Sequence, residues 1–229
     1  MEHLPSYISI VFTLSTALII LLIYKASNYS RFLITLITIW LLLQSVVSLS
    51  GFYTVTTGSP PRFALLLLPP IFLIATLFFT KKGKVFIDPL DIKMLTLLHV
   101  VRIPVELTLY WLFLHKTVPL VMTFEGRNFD IFCGITAPFV YYFGYVKNSL
   151  QRGVLIGWNI LCLLLLGNIV ITALLSAPFS FQQFGFDQPS IALFYFPFIW
   201  LPSCIVPIAL FAHLATLRKL LKKDDFNLG

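Results

Sequence analysis

The chain has 229 residues, 59% of them hydrophobic and 11% charged, with a mean hydropathy of +0.93. A soluble domain carries about 45–50% apolar and about 25% charged residues, so an ordinary soluble fold is excluded; at about 20 residues per span, seven spans also leave too little chain for a soluble enzyme or kinase module. The net charge of +7 is spread over short loops and makes no basic face that follows a phosphate backbone, so nucleic acid is not an expected partner.

Apolar runs between charged or Pro/Gly/Ser-rich breaks predict an all-α integral membrane fold with seven transmembrane helices, near residues 5–24, 32–53, 63–80, 94–118, 129–146, 153–175 and 190–217, in a single polytopic domain over 1–229. The first run has no Lys or Arg before it and is too long for a signal h-region, so it reads as a retained helix. Lys25, Arg31, Lys81, Lys82, Lys84, Lys93, Lys147, Arg152, Arg218, Lys219, Lys222 and Lys223 fall on one side of the alternation, and only Arg62, Lys116 and Arg127 on the other. Positive charge is retained on the cytoplasmic side, which predicts N outside, C cytoplasmic and a cell membrane, plasma or bacterial inner, as the location. Tyr7, Tyr24, Tyr53 and Tyr145 sit at predicted span ends as interfacial anchors. Cys133, Cys162 and Cys204 lie within spans and read as small buried side chains. The Asn28-Tyr29-Ser30 sequon falls on the inner side and is expected to be silent.

Tyr24 and Arg31 recur as Tyr145 and Arg152, at an offset of 121. Pro61, Ala64, Leu65, Pro69 and Ile71 recur as Pro189, Ala192, Leu193, Pro197 and Ile199, at an offset of 128. These matches predict a 3+1+3 parallel repeat, residues 5–80 and 129–217 joined by helix 94–118. The outline resembles, in topology, the SWEET and PQ-loop transporters, and also the microbial rhodopsins with their seven helices and outside N-terminus. The chain contains no Pro-Gln dipeptide, and no lysine between Ile191 and Leu217 to carry retinal. Its histidines, His3, His99, His115 and His213, do not make the His-x-x-x-His pair of the seven-helix zinc hydrolases. No motif identifies a family, and no cofactor or metal is expected.

The fourth span alone has full charges in its middle. At 100° per residue, His99, Arg102, Glu106 and Tyr110 share an arc of about 80°. Charges at that depth cost about 2.5–3.5 kcal/mol each, so the stripe is expected to face the protein interior. Two readings stand: Arg102 and Glu106, four apart, form a structural ion pair, or Arg102 holds a polar group of a small-molecule ligand while Glu106 binds or transfers a proton. Pro104 lies between them and removes a backbone hydrogen bond. Beyond the span, Glu125, Arg127, Asn128 and Asp130 cluster around Gly126 on the predicted outer face, either as a solvated connection into the fifth helix or as an acid/base or cation-binding group.

Pro69, Pro70, Pro197, Pro202 and Pro207 punctuate the third and seventh spans and suit helices that bend. Asn159 and Asn168, nine apart, lie on opposite faces of the sixth. His99 and His213 share a predicted depth, which makes a bis-histidine haem conceivable, yet His115 lies about 160° around the helix from His99 and suits no second haem on that face. The tail from Arg218 to Asp225 reads as an anchor on anionic lipid. The sequence therefore points to a multi-pass protein surrounded by membrane lipid. Transport of a small molecule through a mid-membrane Arg/Glu site is the first functional reading. An integral membrane enzyme acting on a lipid or isoprenoid, through Glu106 or through Glu125 and Asp130, and a seven-helix sensor are the alternatives. Nothing in the sequence fixes the oligomeric state.

Overall fold

The computed structural model describes residues 4–56 and 61–222, so His3, Lys223, Asp224 and Asp225 lie outside the described residues. All regular structure among them is helical. In chain order these are α1 (Ser6–Ala26), α2 (Arg31–Leu49), α3 (Ala64–Phe79), α4 (Lys81–Ile87) and α5 (Ile92–Leu97), which runs through a 3-10 turn, Leu98–Val101, into α6 (Arg102–Leu114). Then come α7 (Ile131–Tyr141), ending in a π turn over Tyr142–Val146, α8 (Arg152–Ser176), and a second π turn, Leu201–Ile205, leading into α9 (Val206–Leu221).

Among the described residues five segments, 6–26, 31–49, 92–114, 152–176 and 201–221, are long and apolar enough to cross a membrane. A sixth results if α3 and α4, bent by 94°, count as one broken span, while 131–146 is a shorter apolar helix. Each predicted run thus contains a helix, but α3, at 16 residues, rises only about 24 Å against a hydrocarbon core about 30 Å thick. The surface fits the same setting. Phe32, Ile39, Leu42 and Val46 of α2, Phe72 and Phe79 of α3 and Leu164 of α8 point outward, whereas Ser15, Gln44, Asn159 and His213 are buried. Apolar outside and polar inside is the polarity of a bundle compatible with multi-pass insertion.

Local chemistry sets the helix boundaries. Ser30, Thr80 and Asp91 cap α2, α4 and α5 by accepting from the backbone N–H groups of Leu33, Gly83 and Lys93. At the sharp α3–α4 bend a Cβ on Gly83 would overlap the Leu77 carbonyl, so glycine is required there. Pro104 is the third residue of α6, entered directly from the 3-10 turn with helical backbone at Val101, so its missing N–H takes one bond out of the continuous run. Pro207 has no N–H to give the Ser203 carbonyl one turn earlier; the indole of Trp40 on α2 donates to it instead, at 2.8 Å, and ties α2 to the π turn.

Hydrogen bonds gather the segments at two ends. At one, the Asp91 N–H donates to the Ala26 carbonyl at 2.8 Å, Asn28 to the Pro89 carbonyl at 3.0 Å and Lys219 to the Leu90 carbonyl at 2.5 Å. Asp88 accepts there from Lys222 at 2.7 Å and Arg218 at 3.2 Å. The Lys222 hydrogen bond, with Arg218 beside it, holds the Asp88 carboxyl below the usual carboxylate range. At the other end the Ile191 and Ala192 N–H groups reach the Thr117 carbonyl, each at 3.1 Å, and Gln188 donates to the Phe113 carbonyl at 2.8 Å. Between the ends, the α5–α6 run packs against α1, α7 and α9. The two stretches matched in the sequence differ in form: 61–71 leads into α3, while 189–199 is loop with a 3-10 turn over Ala192–Phe194.

Candidate functional site: a buried charge cluster

The first turns of α6, at the middle of the α5–α6 run, carry the cluster. Arg102 is 5% exposed and Glu106 2%, and His99, in the 3-10 turn just before, is 1% exposed. Arg102 forms its salt bridge with Asp130, which lies just ahead of α7 and is itself buried. Glu106 makes no salt bridge among the described residues. Its Oε2 accepts from the Asn128 side-chain amide at 2.6 Å, the same amide nitrogen reaches the Met122 carbonyl at 3.1 Å, and the Asn128 Oδ1 accepts from the Asp130 N–H at 3.0 Å. Asn128 therefore ties the Glu106 carboxylate to the loop that carries Asp130. The intrahelical Arg102–Glu106 pair expected from the spacing is replaced by a partner 28 residues away, because the loop brings a second carboxylate to the guanidinium.

That loop enters the bundle. Most of its backbone N–H groups are paired, among them Gly126 N–H to the Thr123 carbonyl at 2.9 Å and Asn128 N–H to the same carbonyl at 3.2 Å, and Asn168 of α8 donates to the Arg127 carbonyl at 2.7 Å. A Cβ on Gly126 would overlap the Leu120 carbonyl, so the tight turn depends on that glycine. The four loop residues singled out in the sequence consequently part company: Asn128 and Asp130 are buried, while Glu125 and Arg127 are exposed. A loop whose backbone polar groups are paired can lie inside a membrane bundle. Tyr110 also leaves the cluster. Half-buried one turn beyond Glu106, it packs on Phe124 with ring centroids 5.0 Å apart.

On the other side of Arg102 stands His213 of α9, with Nε2 3.2 Å from an Arg102 terminal nitrogen and Nδ1 2.9 Å from the Asn159 Oδ1 of α8. His99 stacks on it, ring centroids 3.7 Å apart and planes 11° apart, and Trp158 packs against both rings. Parallel, touching imidazoles leave no room for a haem between them. Cys133, in the first turn of α7, lies 3.8 Å through Sγ from the His213 Nε2. The potential ligand atoms of His99, Cys133 and His213 all lie within 4.8 Å of one another. α7 reaches this position because Gly134 carries no side chain: a Cβ there would stand 2.9 Å from the Ile103 Cγ1 and 3.0 Å from its backbone nitrogen.

A cavity of about 40 Å³ touches His99, Arg102, Glu106 and Asp130 and is closed by apolar residues including Ile19, Leu109 and Ile205. It has room for about three waters and no organic solute. A separate apolar groove of about 190 Å³ runs between α1, α2, α3 and α9 past Trp40, Pro69 and Pro70, and shares no lining residue with it. An open bowl of about 710 Å³ near the loop is lined by Arg127, Phe184 and Asp187 among others.

His99, Arg102, Glu106, Asn128 and Asp130 are thus brought together, and Tyr110, Glu125 and Arg127 are not. No sequence pattern joins Asn159 or Cys133 to them. One local signal exists, since Asn159 and Cys162 are three apart and share a face of α8, but nothing in the sequence pairs that face with α7. No protein-family model, no curated protein and no solved structure matches the chain.

Proposed function

We propose that this multi-pass protein is a membrane transporter that couples movement of a small solute to a proton, with Glu106 as the coupling group. One observation carries the reading: the cluster holds two buried carboxylates for one guanidinium. A purely structural ion pair is complete with Arg102 and Asp130. Glu106 is surplus to it and is held by a neutral amide beside a cavity with room for a few waters, an arrangement on which a proton can be loaded and released. Intramembrane carboxylates placed in this way belong to proton relays. The π turn at Leu201–Ile205 borders the same cavity, and such turns, here with Pro202 inside and Pro207 just after, are places where a helix can rearrange to admit a solute.

A lipid- or isoprenoid-acting enzyme would need the apolar groove to meet the carboxylates, and the two spaces share no wall residue. The decisive experiment is reconstitution of the purified chain into vesicles under an imposed pH gradient, with internal pH followed as candidate solutes are added. Solute-dependent proton flux is expected, and Glu106→Gln abolishes it while the variant still purifies as a folded protein. If no solute drives flux and Glu106→Gln alters only the unfolding temperature, the cluster is scaffolding and the proposal fails.

A further inference from the structure

The histidine and thiol side of the cluster is not needed for proton coupling, and it has its own chemistry. We infer that His99, Cys133 and His213 form a binding site for a single monovalent copper ion. The donor set is two imidazoles and a thiol, a combination suited to copper and zinc and poorly suited to the hard oxygen-seeking cations. Ligand atoms on a tetrahedral or trigonal metal at bonds of about 2.0–2.3 Å stand roughly 3.3–4 Å apart; Cys133 Sγ and His213 Nε2 are already 3.8 Å apart, and the whole set lies within 4.8 Å.

A second observation points to a ligand. Both ring nitrogens of His99 are buried and have no hydrogen-bond partner among the described residues, although buried polar atoms are nearly always paired. His213 is arranged in the opposite way. Its Nδ1 is engaged by the Asn159 Oδ1 at 2.9 Å, which makes Nδ1 the N–H donor, leaves a lone pair on Nε2 and orients the ring, the supporting contact that metal-bound histidines usually have. The stacked rings do not aim their in-plane lone pairs at one point. Loading therefore requires the His99 ring to turn, and no hydrogen bond holds it in place.

Charge selects among the thiophilic metals. Arg102 lies 3.2 Å from the His213 Nε2, so a net positive complex would be repelled in a low-dielectric interior. On loading, the Cys133 thiol gives up its proton to solvent as the sulfur–copper bond forms, so Cu(I) with one thiolate and two neutral imidazoles is neutral, and the displaced guanidinium keeps Asp130. Zn(II) with the same three ligands carries a net positive charge and reaches neutrality by recruiting a second anionic ligand, such as the thiolate of Cys162 beside Cys133.

The test is Cu(I) titration of the full chain in detergent under reducing conditions, in competition with a chromophoric Cu(I) chelator, followed by X-ray absorption of the loaded protein. One copper per chain is expected, with a first shell of one sulfur and two nitrogens. Cys133→Ala and His99→Ala should each bind at least about 100-fold more weakly, Asn159→Ala about 10–100-fold more weakly, and Cys204→Ser, remote from the site, should bind as the wild type does. If the alanine variants do not fold, the wild-type absorption spectrum decides alone. A shell lacking sulfur, a shell of sulfur only, no copper retained against the chelator, or zinc retained in its place through Cys162 would each overturn the assignment. Copper binding is read without any transport measurement, so failure here leaves the coupling proposal standing, and failure of that proposal leaves this site intact.

Discussion

At the scale of single residues, Asp130 is the pivot of the charge cluster. A buried ion pair is costly to assemble because both ions lose their water, but once formed it is far costlier to halve than to keep, since the survivor has no counter-charge. Asp130→Asn leaves Arg102 without its ion-pair partner while Glu106 stays held by Asn128, and is expected to destabilise the protein by up to about 3–5 kcal/mol, read as a lower unfolding temperature in detergent. Arg102→Met together with Asp130→Leu removes both ions and should recover most of that loss. Equal destabilisation by the single and double variants would show that the pair contributes through packing alone. The stripe on α6 was legible at this scale because burying a charge in hydrocarbon is so unfavourable that position alone fixes which way His99, Arg102 and Glu106 face. Their partners were not legible. The choice between Glu106, four residues away, and Asp130, 28 away, depends on a loop that spacing along one helix does not describe.

At the scale of elements, the approach of α7 to α6 rests on a missing side chain. Gly134 faces Ile103 with no space for a Cβ, and close packing of small residues is how helices associate where no hydrophobic drive separates helix from lipid. Gly134→Ala should push the two helices apart, carrying Asp130 and Cys133 away from Arg102 and His213, at a cost of about 1–3 kcal/mol by overpacking. Gly157→Ala on α8 is the matched comparison, because a Cβ there meets nothing within 4 Å, and it should be neutral or slightly stabilising through helix propensity. Thermal unfolding of the two variants side by side checks this; equal effects would remove the steric account. The prolines illustrate the same dependence on neighbours. Pro207 announces a lost hydrogen bond in the sequence, but only the packed bundle shows that Trp40, far away in the chain, supplies the replacement donor.

At the scale of the whole molecule, the basic residues Lys25, Lys93, Arg152, Arg218, Lys219 and Lys222 belong to elements joined at one end by the contacts of Asp88, Leu90, Asp91 and Leu220. With positive charge kept on the cytoplasmic side, we propose that this end faces the cytoplasm, leaving the end that carries Thr117, Gln183 and Gln188 outside. Lys82 and Gln183 are both exposed and fall on opposite sides under this orientation. A membrane-impermeant thiol reagent applied to intact cells should modify Gln183→Cys and leave Lys82→Cys unlabelled until the cells are opened. The reverse pattern would invert the orientation, and equal labelling would mean an even number of crossings between the two positions.

The sequence by itself determined that the chain is an apolar helical bundle, where most of its helices lie, and that α6 turns its charges inward. Each of these follows from one strong and local force, the exclusion of polar groups from hydrocarbon, which acts on every residue according to its own chemistry and its neighbours a turn away. The tertiary structure alone decided that the Met122–Asp130 loop folds into the bundle, that Asp130 takes the guanidinium while Asn128 holds Glu106, and that imidazoles from α9 and the turn before α6 meet a thiol from α7. Those outcomes depend on close approach between segments distant in the chain, through glycine contacts, turn-satisfied loops and carbonyls freed by proline. Small differences in packing energy set them, and no periodicity in the sequence records such differences.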